Sequence, residues 1–569
     1  MATYKTPGVY IEEIPRLPSS VAAVPTSVPV FIGYTAKVEV DGEVITAFPT
    51  NPIRIESLLQ FETIFGGPKN ETFAVTLTGP DVNIAVASTP TSYRLYYNML
   101  MYFGNGGGPC YIIAAGSYST SITEAGLRAG IPKAEQVDEI TMVVVPEAIM
   151  LGTLSARRNV YNDMLAHCAQ MQDRFSLMDV EVILSGPNTI QNDADQFRNL
   201  TVGANNLSYG ATYYPSYKPS FPFSYIDTGV TVTATAANLP ASVKLFGATT
   251  LDVINSGTTA DVAIDLSAFT FPGVALDTLT INSIPFDLTL YNDVGELYDA
   301  LVADAVLGAA LNFAFEDMPV GIITLTAAVP GTQITFAKAI ATPAEIVFSP
   351  ASSPQTGLAP DKVLYNRIKA AVDGYAMELY PSAMMAGVYC AVDTARGVWK
   401  APANVGITLV DSLNRTVKNA DQENLNVDPT SGKSIDVLRD FPGRGLLVWG
   451  ARTMDGNSNE WRYISVRRTF LFIEDSCKKA TMFSVFEPND MNTWLRIQGM
   501  ISSFLTTIWR DGGLAGAKPE QAFFVKVGLG QTMTAQDILE GRLIVQIGLA
   551  VVRPAEFVIL RFEHMVQTS

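Results

Sequence analysis

The chain has 569 residues, 48% apolar and only 16% charged, with 38 Lys and Arg against 55 Asp and Glu for a net charge of −17. Mean hydropathy is +0.20. So apolar a chain is not a disordered one, and the acidic balance excludes a nonspecific nucleic-acid binder, which needs a basic face; the shortage of charge, against about 25% in ordinary globular chains, points to surface hidden in an assembly.

The first thirty residues carry Pro7, Pro15, Pro18, Pro25 and Pro29, which exclude a long helix. Val9, Tyr10 and Ile11 read as a short strand within an extended arm that is too poor in apolar residues to fold alone. Residues 28–34 (VPVFIGY) form a continuous apolar run and predict a buried strand. Residues 55–65 have helical spacing, with Ser57 as N-cap and a stop at Gly66 and Gly67. A second helix over 93–103 runs into Gly104, Asn105, Gly106, Gly107 and Gly108, and a strand over 110–114 follows. A phosphate loop runs strand, glycines, helix; here the order is helix, glycines, strand, so the glycines cap and turn the chain. A strand over 140–145, a helix over 155–175 and a strand over 180–184 give a βαβ rhythm. Residues 195–205 are mixed, and 208–214 (SYGATYY) predicts another strand.

The texture changes near residue 225. Residues 219–360 hold Lys244 and Lys338 against thirteen acids, a balance of 2 − 13 = −11, whereas 396–569 hold 20 basic and 18 acidic residues. Strands are predicted over 228–235, 261–267, 278–284, 286–290, 321–327 and 332–337, with one helix over 294–311. This reads as an inserted, mostly β module. Helical texture resumes at 363–379, followed by an apolar segment over 384–392. Further on, the patterns predict strands over 445–451, 522–527, 543–552 and 556–562, and helices over 461–486 and 492–510. The expected organisation is an arm (1–21), a middle domain (22–225 plus 359–395), an acidic insertion (226–358), a C-terminal domain (396–552) and a terminal strand or arm (553–569). The fold class is α/β (α+β) and multidomain: mixed-sheet core domains with an inserted mostly β domain and extended N- and C-terminal arms.

Chemistry-bearing patterns are sparse. The four cysteines (Cys110, Cys168, Cys390, Cys477) are far apart and lack metal-ligand spacing. His167 adjoins Cys168 on one predicted helix, where neighbours point about 100° apart, so the two read as packing rather than as a nucleophilic dyad. His564 is the other histidine. No catalytic or nucleotide motif is present, and neither catalytic residue, cofactor nor metal is expected. The start of the chain lacks an apolar signal region and the longest apolar runs are too short to span a bilayer, so synthesis as a soluble cytoplasmic protein is expected. Terminal strands without local partners suit strand addition between subunits, and heterologous contacts of that kind build rings or helices.

Several segments together resemble the tail sheath proteins of contractile phage tails and related contractile injection systems. They are 4–13 (YKTPGVYIEE), 28–35 (VPVFIGYT), 55–67 (IESLLQFETIFGG), 102–112 (YFGNGGGPCYI) and 202–214 (VGANNLSYGATYY). In the C-terminal part they are 487–494 (EPNDMNTW), 508–513 (IWRDGG), 521–525 (QAFFV), 532–537 (TMTAQD) and 553–561 (RPAEFVILR). The order spans almost the whole chain, while about 226–358 matches weakly and looks like a variable outer insertion. The resemblance implies a homo-oligomeric sheath of stacked hexameric rings around an inner tube protein, assembled on a baseplate with terminator or cap proteins. Paralogous sheath subunits are a further partner class it allows; nucleic acid and direct membrane insertion are not implied. It also implies that such a sheath is metastable and contracts to drive the tube through a target envelope, that the C-terminal domain faces the tube, and that terminal arms join neighbours. On that footing Val9, Tyr10 and Ile11 and Phe557, Val558, Ile559 and Leu560 are the candidate arm strands. Lys478 and Lys479, with Arg467 and Arg468, are the candidate tube contacts. The opening segment looks most like the extracellular, phage-tail-like systems, assembled in the bacterial cytoplasm and then released; a phage virion and a cell-bound system stay open, although the last usually splits its sheath into two chains. The competing reading is a glycan-binding or enzymatic surface protein with a β insertion.

Overall fold

The computed structural model describes residues 21–183, 189–273, 277–316, 322–340, 346–350, 353 and 355–561. The expected arm strand Val9, Tyr10, Ile11 and His564 lie outside these residues. The chain divides into two compact units, one drawn from Met1–Pro68, Ser92–Ser220 and Met377–Ser569 and the other from Lys69–Thr91 and Phe221–Ala376.

The first unit is built on an eight-stranded mixed sheet. Its spatial order is Gly445–Val448, Asp436–Phe441, Gly210–Tyr214, Phe175–Asp179, Met142–Val144, Pro29–Thr35, Cys110–Ser117 and Ile53–Ile55. The six inner strands are parallel and each edge strand is antiparallel. Parallel strands need crossovers and are covered on both faces, so they read as unbroken apolar runs. Pro29–Thr35 is buried at all seven positions. Alternate side chains go to opposite faces. Val30, Ile32 and Tyr34 join the core beneath the helix Leu154–Met171, while Phe31 meets Tyr102 edge-on at 4.9 Å.

Local signals fixed most element ends. Ser57 accepts the Gln60 N–H at 3.3 Å and opens the helix Leu58–Phe65, which ends at Gly66 with φ 81°. The helix expected over 155–175 ends at Met171, because Gln172 takes the left-handed conformation (φ 60°). The strand is therefore Phe175–Asp179, five residues earlier than the pattern predicted. Val294–Leu311 is not one helix: Asp304 ends Val294–Ala303 and caps Ala305–Ala310 through the N–H groups of Val306 and Leu307. The apolar stretch 384–392 is the middle of a buried helix, Pro381–Arg396. Two buried carboxylates act as internal caps. Glu147 accepts the N–H groups of Tyr34, Arg94 and Leu95 at 2.7, 2.7 and 3.1 Å, and Asp179 accepts the Ser382 N–H and hydroxyl at 2.7 and 2.6 Å. Burial pushes both carboxyls up to about 7.

In the C-terminal part of this unit, Ile464–Thr481 and Met491–Arg510 pack with the hairpin Phe523–Val527 and Val545–Leu549. Ile497, Met500, Ile501, Phe504, Leu505 and Ile508 form the apolar stripe of the second helix. Val21 is buried in the same core.

The second unit contains a sheet ordered Ala248–Thr250, Val230–Thr233, Phe73–Thr78, Asn83–Ala87. Val230 pairs with Phe73 and Val232 with Val75, in parallel register. The unit thus begins at Lys69 and 221 rather than at 226, and it continues through the helix Lys362–Asp373 beyond 358. Nothing local to residues 226–235 announces a partner some 155 positions away. Within this unit, 258–357 holds a core of its own that includes Val262, Ile264, Leu279, Leu297, Leu325 and Ile346. Its ends meet: Thr258 N–H donates to Leu358 O at 2.8 Å, and Leu358 N–H to Thr258 Oγ1 at 3.0 Å. Gly357 passes so close that a Cβ there would stand 2.0 Å from Thr258 O. Replacing 258–357 by a short Gly/Ser linker should therefore leave a soluble chain that still unfolds cooperatively by calorimetry. Excision of 226–358 should not, because it strips Val230–Thr233 from its sheet. Equal behaviour of the two deletions would refute this boundary.

Candidate functional site

The C-terminal hairpin is a two-stranded sheet among the described residues, so each strand keeps one edge without a strand partner. Such an edge is a template for an incoming strand. Its inner face pairs Val525 with Ile547 and Val527 with Val545. Val525 and Val527 are buried, whereas Val545, Ile547 and Leu549 are only half-buried. The flank beside Val545–Leu549 is therefore the incompletely covered one. A groove of about 810 Å³ opens there, walled by Ile497, Ile501, Leu543, Val545 and Ile547, with Cys477 and Lys478 on its rim. Burial pushes the Cys477 thiol up to about 12, so it stays protonated. Next to the groove the segment joining the two helices exposes Met482, Val485 and Phe486, the last completely, and the first turns of the second helix expose Met491 and Leu495. The pattern hid Met482, Val485 and Phe486 inside a helix expected over 461–486. The helix stops at Thr481, and Pro488, which disfavours helical backbone just before it, was the signal available.

The strand expected over 556–562 is not a strand in its described part. Residues 552–561 belong to no ladder, and Phe557, Val558, Ile559 and Leu560 are 72–77% exposed. Four consecutive apolar side chains in open backbone carry β-propensity, and among the described residues they join no sheet.

The four candidate cations separate sharply. Arg467 is 5% exposed, its guanidinium held between the rings of Tyr209 (4.1 Å) and Trp461 (4.4 Å). Arg468 is 4% exposed and grips Asp393 with two bonds, 2.9 and 2.6 Å, while donating to Thr26 O at 2.8 Å. Both arginines are interior, because helix Pro381–Arg396 and the aromatic side chains cover the first turns of Ile464–Thr481. Lys478 and Lys479 are exposed near that helix's far end. Lys479 pairs with Asp475 at 2.8 Å and reaches Asp138 O at 3.1 Å.

No group of three metal-ligating side chains occurs among the described residues. His167 is 5% exposed, with Nε2 3.3 Å from Arg174. Burial, then the Arg174 charge, pull its pKa down to about 4, and burial pushes Cys168 up to about 12. A neutral imidazole and a protonated thiol packed into the core are not an activated pair. At the glycine cluster Gly106 takes φ 91°, and a Cβ there would meet Ala391 at 2.8 Å. The cluster serves a turn and close helix packing, as its order implied.

Comparison with known proteins converges on one class. Residues 457–564 match the family described as phage tail sheath C-terminal domain. A tail sheath protein of Vibrio phage KVP40 (isolate Vibrio parahaemolyticus/Japan/Matsuzaki/1991) is 25% identical over 130 residues, 23% of this chain and 19% of that protein. The match thus spans about a fifth of that curated relative's length. Solved structures extend the likeness along the chain. A chain of the six-fold symmetrised anti-feeding prophage baseplate is 26% identical (TM-score 0.53), covering 99% of this chain and 100% of that one. The contracted anti-feeding prophage helical sheath is 25% identical (TM-score 0.53), covering 99% of both chains. The contracted sheath complex of the PVC extracellular contractile injection system shares the fold at 24% identity (TM-score 0.52), covering 100% of this chain and 99% of that one. The resemblance read from the sequence is borne out, as is the mixed α/β fold class.

Proposed function

We propose that this chain is the structural, non-catalytic subunit of a contractile sheath, polymerising as stacked hexameric rings around an inner tube. The observation that carries the reading is the pairing of two incomplete features in one chain: an apolar groove beside an open strand edge, and an exposed apolar segment at 557–560 with no ladder of its own. Strand addition between copies completes both, through backbone hydrogen bonds for affinity and alternate side chains for register. Residues 9–11 are the second candidate for the same sheet. The likeness to baseplate and sheath chains supports a baseplate, a tube protein and a terminator as partners. It also supports assembly in a bacterial cytoplasm followed by release as a phage-tail-like particle.

Contraction then draws on the difference in free energy between two lattice packings, a few kcal/mol per subunit multiplied along the sheath, with arms as hinges. Negative-stain microscopy of the chain expressed with its operonic tube and baseplate proteins tests this. Sheathed tubes that shorten under mild denaturant without nucleotide support it; globular particles, or a strict need for nucleotide, defeat it.

Of the four cations, Lys478 and Lys479 remain as tube contacts. Exposed pairs are worth about 0–1 kcal/mol each, which suits a surface that must let go. The double substitution Lys478→Glu, Lys479→Glu should lower tube-filled extended particles several-fold while tubeless polymers still form. Unchanged tube filling would remove both residues from that role.

A further inference from the structure

We infer that Glu556 is a clamp that aims the C-terminal arm, fixing where and in which direction the apolar segment 557–560 leaves the body. The inference deepens the proposed function and rests on it.

The chain approaches this point under close control. Ala550 N–H donates to Ala522 O at 2.8 Å, Val551 bridges to Leu514, and Val552 N–H donates to Gly513 O at 3.3 Å. Arg553 Nη1 then donates to Asn459 O at 2.8 Å. Pro554 follows, with φ fixed by its ring. Two residues later the Glu556 carboxylate receives donors from three separate segments. Arg452 supplies a fork, Nε to Oε1 at 2.9 Å and Nη2 to Oε2 at 2.6 Å; Asn426 Nδ2 donates at 2.6 Å and the Tyr463 hydroxyl at 3.2 Å. The fork is itself fixed. Arg452 is 5% exposed, its Nη1 reaches Asn426 O and Gly456 O, and its backbone N–H is held by the buried Asp436 carboxylate at 2.9 Å.

Immediately beyond Glu556 everything changes. Side chains go from a carboxylate 22% exposed to four apolar groups 72–77% exposed, and among the described residues no further backbone bond holds 557–561. A bidentate guanidinium–carboxylate pair sets direction as well as energy, because its geometry is planar and fixed. A core residue would be placed among apolar contacts; here a four-donor carboxylate stands at the last anchored position before four side chains that are 72–77% exposed. Such an arrangement presents the segment in a limited range of directions. It thereby reduces the conformational freedom that docking would otherwise remove.

The test uses the full chain carrying a nitroxide at Ala555→Cys, between the two anchors, in a Cys477→Ser background because that thiol borders the groove; the other three native cysteines are buried. With Glu556 intact the spectrum should be immobilised. Glu556→Ala should convert it to the mobile form and raise the concentration needed for polymerisation about tenfold, the cost of losing one charge-assisted contact. Because Arg452 is only 5% exposed, the alanine variant should also lower the midpoint of the body's unfolding, but the transition should remain a single cooperative one. Glu556→Gln keeps the shape and should fall between the two, which separates aiming from simple folding if the alanine variant is insoluble. An immobilised label and wild-type polymerisation in both variants would overturn the clamp. Deletion of 553–569 is the control on the underlying reading: normal polymerisation of that deletion would defeat strand exchange, while the label in the undeleted chain would still report on the clamp.

Discussion

Deletion of residues 553–569 should yield a folded, soluble protomer that forms no sheath at any attainable concentration. The hairpin and its two helices make their core without this segment, since Ile473, Ile497, Ile501, Leu505 and Val525 are buried among themselves. Besides Glu556, whose loss leaves Arg452 without its carboxylate and lowers the stability of the protomer without unfolding it, what the deletion removes is chiefly Phe557, Val558, Ile559 and Leu560, which bury almost nothing in the single chain. Docked on a neighbour, each such side chain contributes about 1.5–3 kcal/mol, besides the ladder bonds. Each copy both gives and receives an arm, so the loss recurs at every contact of a lattice. Ile559→Asp should act in the same direction by placing a charge where an apolar face must be buried. Sedimentation and microscopy read the outcome, with circular dichroism confirming the fold. Sheaths of normal length from the deletion would show that these residues join nothing. Deleting residues 1–20 is expected to have the same effect, through the strand read at Val9 and Ile11.

The largest loss of stability should come from Arg468→Ala. Its guanidinium ties the helix Ile464–Thr481 to the helix Pro381–Arg396 through Asp393, reaches back to Thr26 O, and lies over the Tyr389 ring at 4.7 Å. The two side chains of the pair are 4% and 2% exposed. Removing one partner leaves the Asp393 charge buried and unpaired, a loss of about 3–5 kcal/mol. Arg468→Lys keeps the charge but forfeits the fork and the ring contact, so it should fall between alanine and wild type. The double substitution Arg468→Met, Asp393→Leu should recover most of the loss, because it abolishes the uncompensated charge. Urea unfolding of the variants orders them; a single alanine variant within about 1 kcal/mol of wild type would contradict the buried pair. The effect concerns folding of the protomer and is distinct from that of the arm deletion, which acts chiefly on assembly.

Particular elements show how far the residues speak for themselves. Continuous apolar runs marked Pro29–Thr35 and Cys110–Ser117, and capping residues marked Leu58–Phe65, because burial on both faces and orphan N–H groups impose those choices locally. The motif series carried the likeness to sheath proteins, and the apolar run 557–560 was legible as such, whereas its 72–77% exposure outside any ladder was not, because the pattern alone reads as a strand. Strand Val230–Thr233 was legible as a strand, yet its partner Phe73–Thr78 was not, since pairing across that separation is set by packing and not by either sequence alone. The four cations make the division clearest. Arg467 and Lys478 are eleven residues apart, about three helical turns, and so are Arg468 and Lys479. Periodicity therefore gives each arginine the same helix face as one lysine, and the sequence by itself determined a basic helix with two such faces. Only the tertiary structure decided that Tyr209, Trp461, Asp393 and Thr26 close over the first pair while the last turns stay open to solvent. Exposure belongs to whatever the rest of the chain brings against each turn, and no spacing within the helix encodes that.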